Sequence, residues 1–381
     1  MNSLFYFGIL GLILFEICNV YFIMPMPGSQ EMNSIGLAYF LYTWRWAFRV
    51  LFSLCIFYKV IPAFQESKIL VPIFLLLTLG IVYATNFIMA ADKMFLQVDK
   101  LRMTPPTENK IDMDKIILGI EHRGETRAYP IQFLGYHHQI FDTLAGKPVI
   151  ITYCTVCRTG RVFKPIVQGK VESFRLVGMD HFNAMFEDKT TKSWWRQVNG
   201  EAIAGPLKGQ SLPEIMSRQM SLKDWLALYP NSLIMQEDTS FSETYESMKM
   251  YESGKSKGDL TKRDSASWQK KSWIVGVKFK DKSKAYDWNK LAKDKIIHDV
   301  LDHKPIVLIL SSDKKGFIAF ERTNENQIFK LENDSLFDGT NKFNFLGESN
   351  NQNIPHLVPL KTYQEYWHSW QTFNPETLRN Q

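Results

Sequence analysis

The sequence predicts an α+β, strand-rich protein in which a membrane helical region precedes a soluble body of two pseudo-symmetric, duplicated units. Three observations predict it. The apolar residues, 45% of the 381, crowd into segments 4–23, 36–61 and 70–91, after which the composition becomes that of a soluble protein. From residue 115 onward, short apolar runs rich in Val, Ile, Phe and Tyr alternate with turn residues, the pattern of strands joined by tight connections. Finally, the soluble part echoes itself. Leu118-Gly119-Ile120 through Ala128-Tyr129 resembles Val275-Gly276-Val277 through Ala285-Tyr286, and Gly276 follows Gly119 by 157 positions, as Tyr286 follows Tyr129, Asp299 follows Asp142 and Phe320 follows Phe163. Spacing without insertions implies two copies of one unit, each covering the other's apolar face.

Segments 4–23 and 70–91 are long enough to cross roughly 30 Å of hydrocarbon. A signal peptide needs a basic start, which Met1-Asn2-Ser3 lacks, and two more apolar segments follow, so the first is expected to stay in the membrane. Segment 36–61 contains Arg45 and Arg49, charges that a bilayer tolerates when they snorkel or pair, and it reads as a tilted span or an interfacial helix before a short crossing. About three spans thus fill 1–91. Lys59 and Lys68 favour a cytoplasmic second connection and an exported carboxy-terminal body, while Lys93, Lys100 and Arg102 pull the other way.

Residues 92–114, with Pro105-Pro106, read as a tether. The first unit spans 115–235: a hairpin turning at Arg123-Gly124, a short helix carrying His137 and His138, a turn through 142–147, and an apolar strand delivering Cys154-Thr155-Val156-Cys157. A hairpin surrounds Gln168-Gly169, and a helix capped by Ser221 carries Trp225. Residues 236–269, rich in Ser, Lys and charge, read as a mobile polar linker, and 270–381 forms the second unit. Each unit closes on a weaker echo, 225–230 against 370–375, where Trp370 follows Trp225 by 145 positions.

The net charge of +6 is scattered among acids without a basic and aromatic platform, so no nucleic-acid partner is expected. Phosphate loops, dinucleotide fingerprints and nucleophile elbows are missing, which argues against a nucleotide cofactor, hydride transfer and ester hydrolysis. Cys18 and Cys55 fall in apolar segments, which leaves Cys154 and Cys157 as the only thiols of the soluble part. The echo marks this pair, because Ser311, Lys314 and Asp294 stand where the first unit has Cys154, Cys157 and His137. Two thiolates three positions apart can share an ion, and His137 and His181 would complete a site for zinc, copper or iron. A redox Cys-x-x-Cys normally opens a helix, whereas here a strand context is expected, and two packed or stapled thiols are the plain alternative. Asp142 and Asp299 occur in both units and are assigned a structural turn-capping task. Trp194, Trp195, Arg196 and Asn199 form a candidate pocket wall, with Glu201 as a candidate general acid or base.

Residues 118–207 resemble the bacterial proteins catalogued as domain of unknown function 3179. The resemblance rests on Gly119 to Pro130 with its Ala128-Tyr129-Pro130 ending, His137 followed by Asp142-Thr143, Thr152-Tyr153-Cys154 with Cys157, and Trp194-Trp195 leading to Gly200-Glu201-Ala202-Ile203 and Gly205-Pro206-Leu207. Its signature falls on Cys154, Cys157, His137, Asp142, Trp195, Gly200 and Glu201, while Thr155, Phe141 and His181 depart from it. The resemblance implies an exported domain on the bacterial cytoplasmic membrane and no assigned activity. The leading expectation is a membrane-tethered metal-binding protein, with metalloenzyme chemistry as its extension. The alternatives are an extracytoplasmic binding or assembly module with structural cysteines, and a membrane-tethered thiol-disulfide oxidoreductase. The expected partners are the lipid bilayer and a small molecule or protein.

Overall fold

The computed structural model describes residues 2–380, which form helices and many-stranded sheets in two compact units, Met1–Leu96 with Glu172–Ser211, and Gln97–Val171 with Leu212–Gln381.

The first unit holds three helices long and apolar enough to cross a membrane: Ser3–Tyr21, Arg45–Glu66 and Leu70–Ile88. A short helix, Ile35–Thr43, precedes the second, so segment 36–61 contains both an interfacial-length helix and a span. The charge that complicated this segment is neutralised. Arg49 Nε lies 2.6 Å from Oε1 of Glu16, a residue of the first span with no exposed surface, and Arg49 Nη2 also donates to Asn86 Oδ1 at 2.6 Å. A charge removed from water is tolerated when another charge and further hydrogen bonds satisfy it.

Residues from Glu172 to Ser211 pack with these helices as a four-stranded antiparallel sheet in the order Ala202–Ala204, Trp194–Arg196, Asn183–Asp188, Phe174–Asp180. Met179 N donates to Ile23 O at 2.7 Å, and a Cβ at Gly178 would stand 2.3 Å from that same carbonyl, so glycine is what allows the approach.

The second unit contains a first half with a five-stranded sheet, Met103–Thr104, Leu233–Met235, Glu125–Pro130, Ile116–His122, Ser217–Ser221, and a four-stranded sheet, Glu214–Ile215, Thr159–Phe163, Lys147–Cys154, Gln139–Leu144. Its second half forms one seven-stranded sheet, because Pro359–Tyr366 pairs at its start, through Pro359 and Leu360, with Phe317–Glu321 and over the rest of its length with Trp273–Phe279. Alternating apolar positions of these strands fill the cores, as the period of two requires.

One packing device occurs in each half. Gly119 lies under the indole of Trp225 and Gly276 under that of Trp370, so that an added Cβ would meet the rings at 2.4 and 2.2 Å. The indole nitrogens donate to Ser232 Oγ and Thr377 Oγ1, both at 2.8 Å. Gly119→Ala and Gly276→Ala are each expected to lower stability by about 1–3 kcal/mol through overpacking. Thermal unfolding of the full chain checks this, with Gly80→Ala as the neutral control because nothing lies within 4 Å of its Cβ.

The segment expected to be a mobile linker is anchored. Phe241, Tyr245 and Tyr251 are buried in the core of the first half, and they carry short helical turns with them. The polar composition of 236–269 conceals three well-spaced aromatic anchors, and their burial outweighs it.

Candidate functional site

Cys154 is the last residue of one strand and pairs with Thr159, the first of the next, so Thr155, Val156, Cys157 and Arg158 form a four-residue hairpin turn. Arg158 closes it in the left-handed region at φ 57°. Both cysteines are buried and no disulfide joins them. The pair therefore occupies a strand-to-strand turn, not a helix start.

Three successive carbonyls of this turn are tied down from distant parts of the same unit. Thr155 O accepts from Tyr251 Oη at 2.9 Å, Val156 O from Lys271 Nζ at 2.9 Å, and Cys157 O from Tyr366 N at 2.8 Å. His368 Nε2 also lies 3.1 Å from Val156 O, and Lys271 makes a second bond to Leu260 O at 2.6 Å. Buried carbonyls need such donors, so the turn is fixed by its partners as much as by its own sequence. Behind it, the buried Arg158 guanidinium stacks 3.8 Å from the Trp273 ring centre and donates to Gln364 Oε1, Tyr251 O and Glu252 O. Arg161 pairs with the fully buried Glu365 at 2.5 Å, and Ser369 Oγ donates to the same carboxylate.

The electrostatics single out Lys271. Burial pushes its ammonium down to about 8, while the negative charge available on Cys157 and Cys154 acts in the opposite sense. Burial, and then the Lys271 charge, pushes His368 down to about 3, which keeps that imidazole neutral at physiological pH. Thus the lysine is a cation that both sulfurs feel.

The other anticipated residues distribute as follows. His137 is fully buried, with Nε2 2.5 Å from Tyr245 Oη and its ring edge-on to Phe241. His181 belongs to the helix-bearing unit, where its ring nitrogens face Asp180 Oδ1 at 2.6 Å and Asn33 Oδ1 at 3.1 Å. Trp194 and Trp195 are buried there too, their indole nitrogens donating to Glu187 and Asp188, and Tyr39 and Tyr42 pack on Trp194. Arg196 bonds Asp180 and Glu201, and Asn199 also bonds Glu201. Asp142 accepts from Tyr129 Oη at 2.6 Å, and Asp299 pairs with Lys284 Nζ at 2.7 Å. Among the described residues, no group of three or more His, Cys, Asp or Glu side chains is arranged to hold a metal ion.

Sequence reasoning missed Lys271, His368, Glu365 and Tyr251. Two arginines within four residues of the cysteines, Arg158 and Arg161, do call for a buried acceptor and so hint at Glu365. The positions of Lys271 and His368 carry no local signal.

Three helices long and apolar enough to cross a membrane, linked in one chain to a strand-rich unit with a dithiol turn, define an α+β protein with an apolar helical amino-terminal region. Residues 97–377 match the family described as Protein of unknown function (DUF3179), and the chain belongs to that family. No curated protein and no solved structure matches it.

Proposed function

We propose that this protein is a membrane-tethered, extracytoplasmic thiol-disulfide oxidoreductase in which Cys154 and Cys157 form the dithiol. The single observation that carries the reading is the buried ammonium of Lys271, bonded to the turn between the two sulfurs and coupled to both. A fixed cation supplies the thiolate stabilisation that a helix amino terminus supplies elsewhere. One cysteine thiolate attacks a disulfide of the partner, forming a mixed disulfide and releasing one partner thiolate, which takes up a proton. The second cysteine, losing its proton, then attacks the mixed disulfide and releases the other partner thiol. The dithiol is thereby oxidised to a disulfide and the partner reduced to two thiols. Both sulfurs are buried, so a partner disulfide reaches them only on local opening of the turn.

Metal ligation by Cys154, Cys157 and His137 is the competing reading. Two thiols in a buried hairpin turn favour it; a resident ammonium opposes it, and among the described residues no third His, Cys, Asp or Glu side chain is arranged with them. The test uses full-length protein with Cys18 and Cys55 replaced by Ser. Lys271→Met is expected to slow alkylation of the remaining pair at pH 7 about tenfold, one pKa unit of lost thiolate stabilisation, with Lys271→Arg restoring the rate. Unchanged alkylation in Lys271→Met, or stoichiometric zinc, copper or iron that disappears in Cys154→Ser and Cys157→Ser, would sink the redox reading.

We further infer that the two halves of this unit are copies, one of which kept the thiols. Support comes from matched register. Leu118 pairs with Tyr129 and Gln219 in the first half as Val275 pairs with Tyr286 and Gln364 in the second, and each half sets a glycine under a tryptophan.

A further inference from the structure

The helix-bearing unit contains a cavity of about 230 Å³ at which all three spans meet by one end. Its wall is built by residues 19–23 where the first span finishes, by Tyr42 and Arg45 where the second starts, by 85–93 where the third runs out, and by Arg175 and Val177 of the sheet. The side chains that line it carry three cations, Arg45, Lys93 and Arg175, and one carboxylate, Asp92; Arg175 is paired with Asp92 at 3.4 Å and with Glu187 at 3.0 Å, so Arg45 and Lys93 are the cations that face the cavity's contents. Val20, Ile23, Met89 and Val177 give it an apolar side.

Two details describe what would fill it. Asn19 Oδ1 is buried at this wall without a hydrogen-bond partner, an acceptor that calls for a donor from outside the protein. The neighbouring Asn86 is held by Arg49 and Glu16, at 2.6 and 2.9 Å, and the Glu16 charge is spent on Arg49, so it does not repel an anion. The pocket thus offers cationic and amide groups at the depth where spans leave the hydrocarbon, next to an apolar wall.

We propose that this cavity binds the head group of an anionic phospholipid, its phosphodiester facing Arg45 and Lys93 and a head-group hydroxyl donating to Asn19 Oδ1. Position selects the source: the ends of three spans lie at the level of lipid phosphates, and anionic lipids are attracted to basic groups at that boundary. Arg175 also ties Tyr42 to Glu187, bonded at 2.5 and 3.0 Å, so lipid binding would brace the sheet against the spans within this unit.

The experiment extracts the full-length protein from bilayers of equal phosphatidylglycerol and phosphatidylcholine and reads bound lipid by native mass spectrometry. The expected result is one retained phosphatidylglycerol, preferred about tenfold over phosphatidylcholine. Arg45→Gln with Lys93→Gln abolishes the preference while the protein stays folded by circular dichroism; Arg175 is left intact because it also holds the sheet. Asn19→Leu is expected to narrow the preference for phosphatidylglycerol over phosphatidic acid, which lacks the head-group hydroxyl. Equal retention of phosphatidylglycerol and phosphatidylcholine overturns the proposal. So does a preference unchanged in the folded double variant, or loss of the retained lipid from the wild-type protein in millimolar inorganic phosphate, which would make it a site for free phosphate.

Discussion

Arg161→Met is expected to destabilise the strand-rich unit by about 3–5 kcal/mol, the cost of breaking a buried ion pair from one side. Arg161 is 2% exposed and Glu365 0%, so removal of the cation leaves a carboxylate in the core with the hydroxyls of Thr159 and Ser369 donating to its oxygens. The guanidinium also lies 3.4 Å from the Tyr363 ring centre, a contact that methionine keeps only as dispersion. The pair joins the strand after the cysteines to the last long strand of the chain, so its loss is felt between the two halves of the unit. Arg161→Met with Glu365→Leu is expected to recover much of the loss, because apolar side chains of similar volume replace such pairs at little cost. Denaturant unfolding of the full chain measures both. A single variant within about 1 kcal/mol of wild type would mean that water reaches Glu365.

The second large effect is acid lability. Burial pushes His138 down to about 4 from its ordinary 6.5, and its ring Nδ1 is 2.8 Å from the carbonyl of Tyr153, the residue before Cys154. His368, on the other side of the same turn, is pushed down to about 3, first by burial. In the unfolded chain both imidazoles take up a proton near pH 6.5, whereas in the folded protein they resist it until pH 4 or below. The unfolded state therefore binds more protons as pH falls, and stability drops between about pH 6.5 and 4. His138 alone accounts for up to about 3 kcal/mol of that drop. His138→Asn, which tolerates the left-handed φ of 60° at this helix end, is expected to flatten the profile. Unfolding free energies at pH 7 and pH 4.5 for both proteins check it, and an equal fall in both would assign acid lability elsewhere.

Much of the local architecture was legible. The apolar lengths of the three spans, the hairpin around Gly124, the Ser221 cap that accepts from Asp224 N, and the Gly119 and Gly276 strands with their Trp225 and Trp370 helices all follow from patterns a few residues long. Local patterns survive folding because strand alternation, helix caps and tight glycine contacts are set by near neighbours. The cysteine turn was legible as a place and not as an environment, since Lys271 and His368 arrive from more than a hundred residues away.

By itself, then, the sequence determined that this protein has three apolar helices of membrane-crossing length, many strands and one distinctive thiol pair. Tertiary structure alone decided that Glu16 neutralises Arg49, that Glu172–Ser211 packs with the helices, and that a buried lysine accompanies the two sulfurs. The physical reason is the same in each case. A buried charge or carbonyl is satisfied by whichever group the closed chain brings within about 3 Å, and that choice depends on packing over the whole unit rather than on any stretch of residues.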